Sequence, residues 1–422
     1  MTPEIKQRIE QIRRGEVPEG YKKGKLGIVP EEWNETSFST LFTSTSEYTD
    51  DLDKYPLYSL TIEDGVTPKT ERYERSHLVK KEDSYKIVRP NDYAYNPMNL
   101  RFGAVARHKG DMPVAVSGYY DIFTTVHESD LPFMDSFLTC GPMITYYNRV
   151  STGSLVEKQR VHFSQFLEFM LPLPSINERT KIATILTTQD KVIELKEKQL
   201  AEKQRQKKYL MQQLLTGKKR LPGFSGAWKN IKLCEVLSER KEKNIEQNLR
   251  ICSVAVQKGV IDQIEHLGRS YAASDTSNYS VAHYGDIIYT KSPTGDFLYG
   301  IVKQNLLQET VAVSPLYGVF TPMTFGLGYF LHTYFQSAIC AQNYLLPIVQ
   351  KGAKNTINIT NDTFISSKLY LPLDVEEQKA IADTFIAADR EIELLQQDIE
   401  QEKQKKKALM QLLLTGIVRV KT

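Results

Sequence analysis

The octet LMQQLLTG at residues 210–217 returns as LMQLLLTG at residues 409–416, 199 positions later. A catalytic motif is seldom needed twice at such a distance, whereas a structural unit often is. Self-similarity at a fixed period constrains a fold more than any local propensity does. The match extends backward from the octets. Glu178, Ile182, Ala183, Asp190, Ile193, Glu194 and Leu195 meet Glu377, Ile381, Ala382, Asp389, Ile392, Glu393 and Leu394 at the same offset. LPLP at 171–174 meets LPLD at 371–374, VAVSGYYDIF at 114–123 meets VAVSPLYGVF at 311–320, and YSLTIEDGV at 58–66 loosely meets CSVAVQKGV at 252–260. VPEEW, ending at Trp33, meets FSGAW, ending at Trp228, and these are the only two tryptophans. The order is the same in both halves, so the chain reads as one duplicated unit.

Each unit has two parts. Residues 177–216 hold neither Pro nor Gly and are rich in Glu, Lys, Gln and Leu, all good helix formers. Gly217 and Gly416 stand where a helix end favours glycine. Forty residues of helix would span about 60 Å. Leu186, Ile193, Leu200, Lys207 and Leu214 recur every seven residues, and Phe385, Ile392, Ile399, Lys406 and Leu413 form the matching row. A heptad row indicates a coiled coil. The companion positions Gln189, Lys196 and Lys203 are polar. A homodimer seam would therefore be poor, and pairing of the two helices within one chain is the expected use. The seam assigned to that pairing is Leu186, Ile193, Leu200, Leu214, Phe385, Ile392, Ile399 and Leu413.

The stretches between the helices are different. Residues 38–173 and 232–370 are rich in Tyr, Phe, Val and Ile, with frequent Gly, Pro, Asn and Asp. Short runs such as GAVARH and DIIYTKS read as strands in hairpins. Some helix is expected too, for instance in GLGYFLHTYFQSAICAQNYL. The expected fold class is α+β, with two tandem globular heads separated by two long helices that form an antiparallel intramolecular coiled coil. The expected boundaries are an N-terminal segment at 1–35, a first head at 36–174, a central helix at 175–217, a second head at 218–370 and a C-terminal helix at 371–422. The N-terminal segment carries Ile5, Ile9 and Ile12 at helical spacing and is expected to pack near an end of the helix pair.

Composition narrows the function. A length of 422 residues suits two or three domains. There is no apolar run long enough for a membrane span, and residues 1–14 are polar with no apolar core, so no secretory signal is expected there. Cys140, Cys234, Cys252 and Cys340 are scattered without a CxxC pair, which fits a reducing cytoplasm and argues against a zinc ribbon. The net charge of +3 permits an acidic partner without announcing one.

Catalytic motifs are weak. A base-methylating loop would need Asn or Asp, two prolines and an aromatic, and YNPM at 95–98 lacks the second proline and the aromatic. The GLG at 326–328 lacks the third glycine of a dinucleotide turn, and LLTGKK at 214–219 lacks the first glycine of a P-loop. The seven histidines show neither HxH nor HxxxH, so no metal is expected. Asp92 and Asp286, each before a strand, read as turn residues rather than nuclease carboxylates.

A head leading to LPLPSINERTKIATIL, a Lys/Glu/Gln helix closing on LMQQLLTG, and a second copy reading LPLDVEEQKAIADTFI and closing on LMQLLLTG resemble the specificity subunit of Type I restriction–modification systems. The resemblance covers nearly the whole chain, and its helix motifs are more specific than its heads. It implies a chain that is not an enzyme and binds no cofactor itself. It implies that each head is a target-recognition domain reading one half of a bipartite site in double-stranded DNA. The helices would set the spacer and dock two methyltransferase subunits. S-adenosylmethionine would then belong to those subunits, and ATP to a restriction subunit where one is present. The alternatives are a chain that is itself a DNA methyltransferase or nuclease, or a coiled-coil scaffold whose heads bind protein.

DNA contacts are expected from Arg, Lys, Asn, Gln, Ser and Thr on loops. In the first head the candidates are Asn96, Asn99 and Arg101 in YNPMNLRFG, Arg107, His108 and Lys109 in ARHKG, and Lys158 and Arg160 in STGSLVEKQR. In the second they are Lys291, Ser292 and Thr294 in YTKSPTGD, and Lys351, Lys354, Asn355 and Thr356 in QKGAKNTINIT. Residues 38–174 carry 14 Lys and Arg against 18 Asp and Glu, whereas residues 218–370 carry 16 against 11. Phosphate contacts supply much of the affinity of DNA-binding proteins. Weak DNA binding by the chain alone is therefore expected.

Overall fold

The computed structural model describes residues 2–69, 85–155, 159–269, 272–351 and 357–420. It divides into two compact units, Met1–Glu197 with Asp398–Thr422, and Lys198–Gln397. The division cuts both long helices, Ile176–Leu214 and Val375–Leu413, each of 39 residues. Each unit therefore contains one head, the first half of one helix and the last half of the other.

The two heads share one topology. In the first, a four-stranded sheet runs in the order Val105–Arg107, Tyr93–Tyr95, Asp121–Thr125, Phe42–Thr45. In the second, Val302–Gln304, Ile287–Tyr289, Gly318–Pro322 and Leu237–Glu239 take the same order. All pairings in both sheets are antiparallel. A second sheet pairs Val114–Ser117 with Tyr85–Val88 in the first head, and Val311–Val313 with Ser280–Ala282 in the second. The parallel neighbour of that sheet is the Leu57–Ala115 bridge in one head and the strand Arg250–Ala255 in the other. In each head an opening strand pairs with a closing one, Asn34–Ser37 with Met170–Leu173 and Lys229–Lys232 with Lys368–Leu371. The first closing strand contains its Leu-Pro-Leu segment and the second ends on the first leucine of its own, Leu371; both lead straight into the long helices.

Each head core is finished by both helices. The first buries Phe38, Phe123, Phe133, Phe137 and Phe166 together with Ile182, Ala183 and Leu186 from the first long helix and Leu413 and Leu414 from the second. The second buries Phe320, Phe330 and Phe364 together with Ile381, Ala382 and Phe385 from the second helix and Leu214 and Leu215 from the first. Burying one such side chain contributes about 1.5–3 kcal/mol, so each head gains by holding the start of one helix and the end of the other.

Between these anchors the helices pair through charge. In the first unit Asp190 meets Lys406, Lys196 meets Glu402 at 3.3 Å, and Glu197 meets Lys403 at 2.7 Å. In the second, Lys203 meets Glu391 at 2.7 Å and Lys207 meets Asp389. Partner numbers fall from 406 to 389 as these residues rise from 190 to 207, so the helices run antiparallel. Asp190–Lys406 and Asp389–Lys207 are one pair written twice, 199 residues apart. The polar companions Gln189, Lys196 and Lys203 all turn out to reach across. Gln189 is buried and donates to Glu402 Oε2 at 2.7 Å. Hydrogen bonds from Gln189, Lys405 and Lys196 hold the Glu402 carboxyl down at about 2. Of the apolar row, Ile193 and Ile399 are buried mid-helix, Leu200 and Ile392 are half-buried, and Leu186, Leu214, Phe385 and Leu413 serve the head cores. The coiled coil is thus apolar at its anchored ends and largely ionic at its middle.

A repeated clasp joins each head to its helices. Past the second helix, Arg419 donates Nε and Nη2 to Glu178 at 2.7 and 2.9 Å, and Trp33 Nε1 donates to the same carboxylate at 3.3 Å. Past the first helix, Arg220 grips Glu377, to which Trp228 Nε1 donates at 3.0 Å. Gly416 and Gly217 precede these arginines with φ of +70° and +68°. A Cβ on Gly416 would lie 2.5 Å from the Pro30 ring and 3.0 Å from Trp33, and one on Gly217 would lie 3.3 Å from Trp228. Both octet glycines are therefore favoured by their left-handed backbone, and Gly416 is required a second time by the Pro30 ring against it. The N-terminal helix Pro3–Arg13 joins the first clasp, where Arg8 donates to Ile417 O at 2.9 Å.

Candidate nucleic-acid interface

The candidate loops of the two heads hang from equivalent hairpins. In the first head the loop lies between Tyr93–Tyr95 and Val105–Arg107. Asn96 opens it, is 8% exposed, and its Oδ1 accepts from the backbone of Met98 at 3.1 Å and of Asn99 at 3.4 Å. An Asx-type turn of this kind shapes a loop rather than reading a base. Arg101 donates to Gln159 Oε1 at 3.1 Å and lies over the Phe102 ring at 4.6 Å. Asn99 is exposed, beside exposed Met98 and Phe102. Its side chain makes no hydrogen bond among the described residues, so Asn99 is the loop's available amide.

Arg107 and His108 are committed inside the head. Arg107 donates Nε to Asp135 Oδ1 at 3.0 Å, Nη2 to Oδ2 at 2.7 Å and Nη1 to Asn91 Oδ1 at 2.7 Å. Tyr93 Oη also donates to Asp135, at 2.7 Å, and burial together with that carboxylate pushes the phenol well above its ordinary range. His108 is 2% exposed, with Nε2 at 2.8 Å from Met112 O. Lys109 is exposed and reaches the same Asp135 at 3.4 Å. Arg160 is exposed, and its backbone bridges to Thr152.

In the second head the loop runs between Ile287–Tyr289 and Val302–Gln304. Lys291 has φ +59°, and burial lowers the pKa of its ammonium group. A left-handed lysine costs about 1–2 kcal/mol. It is held there by Gly300, where a Cβ would come within 2.8 Å of the Lys291 nitrogen. Strained backbone of this sort concentrates at functional loops. Ser292 and Thr294 beside it are exposed, and Phe297 pins the loop to the core. Lys351 lies in the short strand Gln350–Lys351, paired with Ile357–Asn358. Lys158, Lys354, Asn355 and Thr356 lie outside the described residues.

The chemistry on offer is therefore a small set of exposed donors and acceptors, Asn99, Lys109 and Arg160 in one head and Ser292 and Thr294 in the other. Such groups suit hydrogen bonding to base edges and phosphates. Sequence reasoning passed over Arg220 and Arg419. Their signal was the Gly-x-x-Arg spacing after each octet, at the same offset of 199. Among the described residues, no three His, Cys, Asp or Glu side chains gather as a metal site, and no helix is long and apolar enough to cross a membrane.

Comparison with known proteins agrees with this arrangement. Residues 208–404 match the family described as Type I restriction modification DNA specificity domain. A protein provisionally assigned as the type I restriction enzyme MjaX specificity subunit of Methanocaldococcus jannaschii is 23% identical over 96% of this chain and 98% of its own. The MjaVIII specificity subunit of the same organism is 25% identical over 61% of this chain and 64% of its own. Among solved structures, the Type I restriction–modification S subunit from M. genitalium superposes with a TM-score of 0.51 at 11% identity, covering 93% of this chain and 97% of that one. That last likeness is one of fold.

Proposed function

This chain belongs to the family of Type I restriction–modification specificity subunits, and on that premise we propose that each of its heads reads one half of a split DNA site. Its role is DNA specificity. The helix pair sets the distance between the half-sites and docks two methyltransferase subunits. The chain itself performs no chemistry. S-adenosylmethionine is carried by the methyltransferase, and ATP by a restriction subunit where the system has one. Such a complex works in the cytoplasm, where the DNA is.

The observation that carries this reading is the duplication of topology. Two heads of one design, each clasped to a helix start and a helix end, offer the same kind of surface twice. A ligand with two separated half-sites fits such a chain, and duplex DNA is one. In this reading the exposed polar residues of the heads supply the readout, and the acidic balance of the first head favours a grip on phosphate shared with the partner subunits.

The test is reconstitution. The chain expressed with its methyltransferase partner is expected to purify with two partner copies and to methylate a bipartite site, and the chain alone is expected to transfer no methyl group. Methyl transfer by the chain alone would overturn the reading, as would a complex that methylates a single continuous half-site.

A further inference from the structure

The second head contains a cleft of about 790 Å³ that the DNA-reading loops do not use. Its floor is the strand Val302–Gln304, and its walls are the helix Phe325–Tyr334, the turn at residues 256–259 and the two long helices where they flank this head. Small-molecule sites commonly occupy about 300–1,000 Å³, so its size is that of a ligand site.

The electrostatics of this cleft are unbalanced. Lys303 lies on its floor and is 5% exposed. Among the described residues it has no hydrogen-bond acceptor and no carboxylate within 4 Å. Both carboxylates lining the cleft are already occupied: Asp389 accepts from Lys207 through Oδ1 and from Tyr329 Oη through Oδ2 at 2.9 Å, and Glu393 pairs with Arg390 at 3.1 Å. His332 cannot balance the charge either. Its Nδ1 accepts from Gln304 N at 3.0 Å, and burial with Lys303 and Lys207 nearby pushes its pKa down to about 3. Burial and Lys207 likewise push Lys303 down to about 8, against a smaller opposing pull from Asp389. Lys208 and Lys258 stand exposed at the rim, also without a carboxylate partner among the described residues. A buried ammonium without a counterion is costly, and a fold that keeps one has left a place for an anion. The rim also presents an aromatic face. Tyr284 and Phe325 stack at 5.2 Å and 22°, and are 50% and 36% exposed.

The equivalent place in the first head is built differently. Register matches Lys303, opposite Ile288, with Ala106, opposite Ala94. Glu63 and Asp64 stand where the second head has Gln257 and Lys258, in a smaller cleft of about 340 Å³ that also holds Asp135. A partner protein that docks in two copies would need the same chemistry in both heads. An acidic side chain of such a partner is therefore not what this cleft is shaped for.

We infer that the cleft of the second head binds a single phosphorylated nucleoside, its phosphate on Lys303, Lys258 and Lys208 and its base against the Tyr284–Phe325 stack. Lysines around a phosphate and an aromatic plate for a base are the two parts of sequence-tolerant nucleotide binding. The nucleoside phosphate has two sources, a free nucleotide or a nucleotide unit of an unpaired DNA strand. The inference does not depend on the reading of the split site and would survive its failure.

The experiment is calorimetric titration of the full chain at pH 7 with deoxyadenosine 5′-monophosphate, with inorganic phosphate and with deoxyadenosine. The monophosphate is expected to bind one per chain and more tightly than either part. Lys303→Met should weaken it by at least about tenfold, the scale of one charge-assisted hydrogen bond, while the variant melts no lower than the parent. Tyr284→Ala should weaken the monophosphate and leave inorganic phosphate unchanged. Displacement of the bound monophosphate by a short single-stranded oligonucleotide would place the natural source in DNA, and no displacement would place it with free nucleotide. The proposal is overturned if the monophosphate does not bind at millimolar concentration, or if Lys303→Met leaves its binding intact. It is also overturned if the parent binds no nucleotide and Lys303→Met instead strips the methyltransferase from the purified complex. That result would give the cleft to an acidic side chain of the partner.

Discussion

The guanidinium of Arg419 forms a two-pronged bond to the carboxylate of Glu178, at 2.7 and 2.9 Å, across 241 positions of sequence. Glu178 is 1% exposed, so it relies on Arg419 and Trp33 for the hydrogen bonds that water would otherwise supply. Losing one partner of a buried pair is strongly destabilising. Arg419 is itself about one-third exposed, which moderates the effect. Arg419→Ala is expected to cost the first unit about 2 kcal/mol. Hydrogen exchange should rise in Tyr93–Tyr95 and stay unchanged in the matching strand Ile287–Tyr289 of the second unit. Arg220→Ala should show the reverse. A uniform rise in both heads would show that the clasps do not act head by head.

The two octet glycines differ in how closely they are packed. Both take a left-handed φ, so alanine is strained at either by about 1 kcal/mol. At Gly416 the added methyl would also meet the Pro30 ring at 2.5 Å, a clash within a rigid ring. At Gly217 its first contacts are at 3.3 Å, which small shifts relieve. Gly416→Ala should therefore lower the melting temperature clearly more than Gly217→Ala. Equal shifts would mean that backbone conformation alone makes these positions glycine.

Acid should weaken the molecule in two windows. His332 is held neutral, its folded pKa of about 3 lying below an unfolded value of about 6.5. For a depressed histidine the unfolded chain binds the proton first. The stability contribution is whole above pH 6.5 and is lost as pH falls toward 3, at up to about 1.4 kcal/mol per pH unit. Glu402, held down at about 2, contributes above its unfolded value near 4.3 and loses that contribution as pH falls toward 2. Denaturant titration from pH 7 to pH 3 is expected to show the second unit losing stability first, below pH 6.5. His332→Gln should flatten that part of the curve. A flat profile between pH 6.5 and 5 in the parent would contradict the assignment.

Arg107 and Asn99 separate stability from recognition. Three nitrogens of Arg107 are bonded to Asp135 and Asn91 within the head. Arg107→Ala leaves Asp135 half-satisfied and should cost about 2–3 kcal/mol of stability, with the methylated sequence unchanged. Asn99 is exposed and unbonded among the described residues, so Asn99→Ala should leave the melting temperature within about 0.5 kcal/mol of the parent and relax one base of the first half-site. Methylome sequencing together with thermal melts distinguishes the two outcomes. A changed half-site in Arg107→Ala would reverse the roles.

Much of the architecture was legible in the sequence because it is written twice. The octets, the heptad rows and the Leu-Pro-Leu segments identified the duplication, the mixed heads and the antiparallel helices. Partnership over long separations was less visible. Heptad spacing places Leu186 and Leu413 in the apolar rows of their two separate helices but does not say that both end in the core of the first head. Gln189 and Lys196 looked like faults in an apolar seam and are instead its cross-helix bonds. Loop polarity does not reveal commitment. Arg107 and Asn99 look equally available as letters, and only the fold shows that one has Asp135 to hold. Lys303 carried no signal at all, because a lysine in a short strand reads as exposed until the edge of the sheet is covered.

The spacing role proposed for the helices gives the last prediction, and the ion pairs determine how it must be tested. Four residues added to the first helix alone near 197–205 would lengthen it by about 6 Å. They would also pull Lys203 and Lys207 out of register with Glu391 and Asp389. Matched insertions of four residues, one after Glu197 and one after Gln397, keep every pair within its own unit, because Asp190, Lys196 and Glu197 meet residues beyond Gln397 and Lys203 and Lys207 meet residues before it. At about 3.4 Å per base pair the recognised spacer should lengthen by one or two pairs. Both half-site sequences should remain as they were, since neither head is touched. The readout is the methylome of cells carrying the altered chain with its methyltransferase. An unchanged spacer in a complex that still methylates would remove the helices from any part in setting the distance.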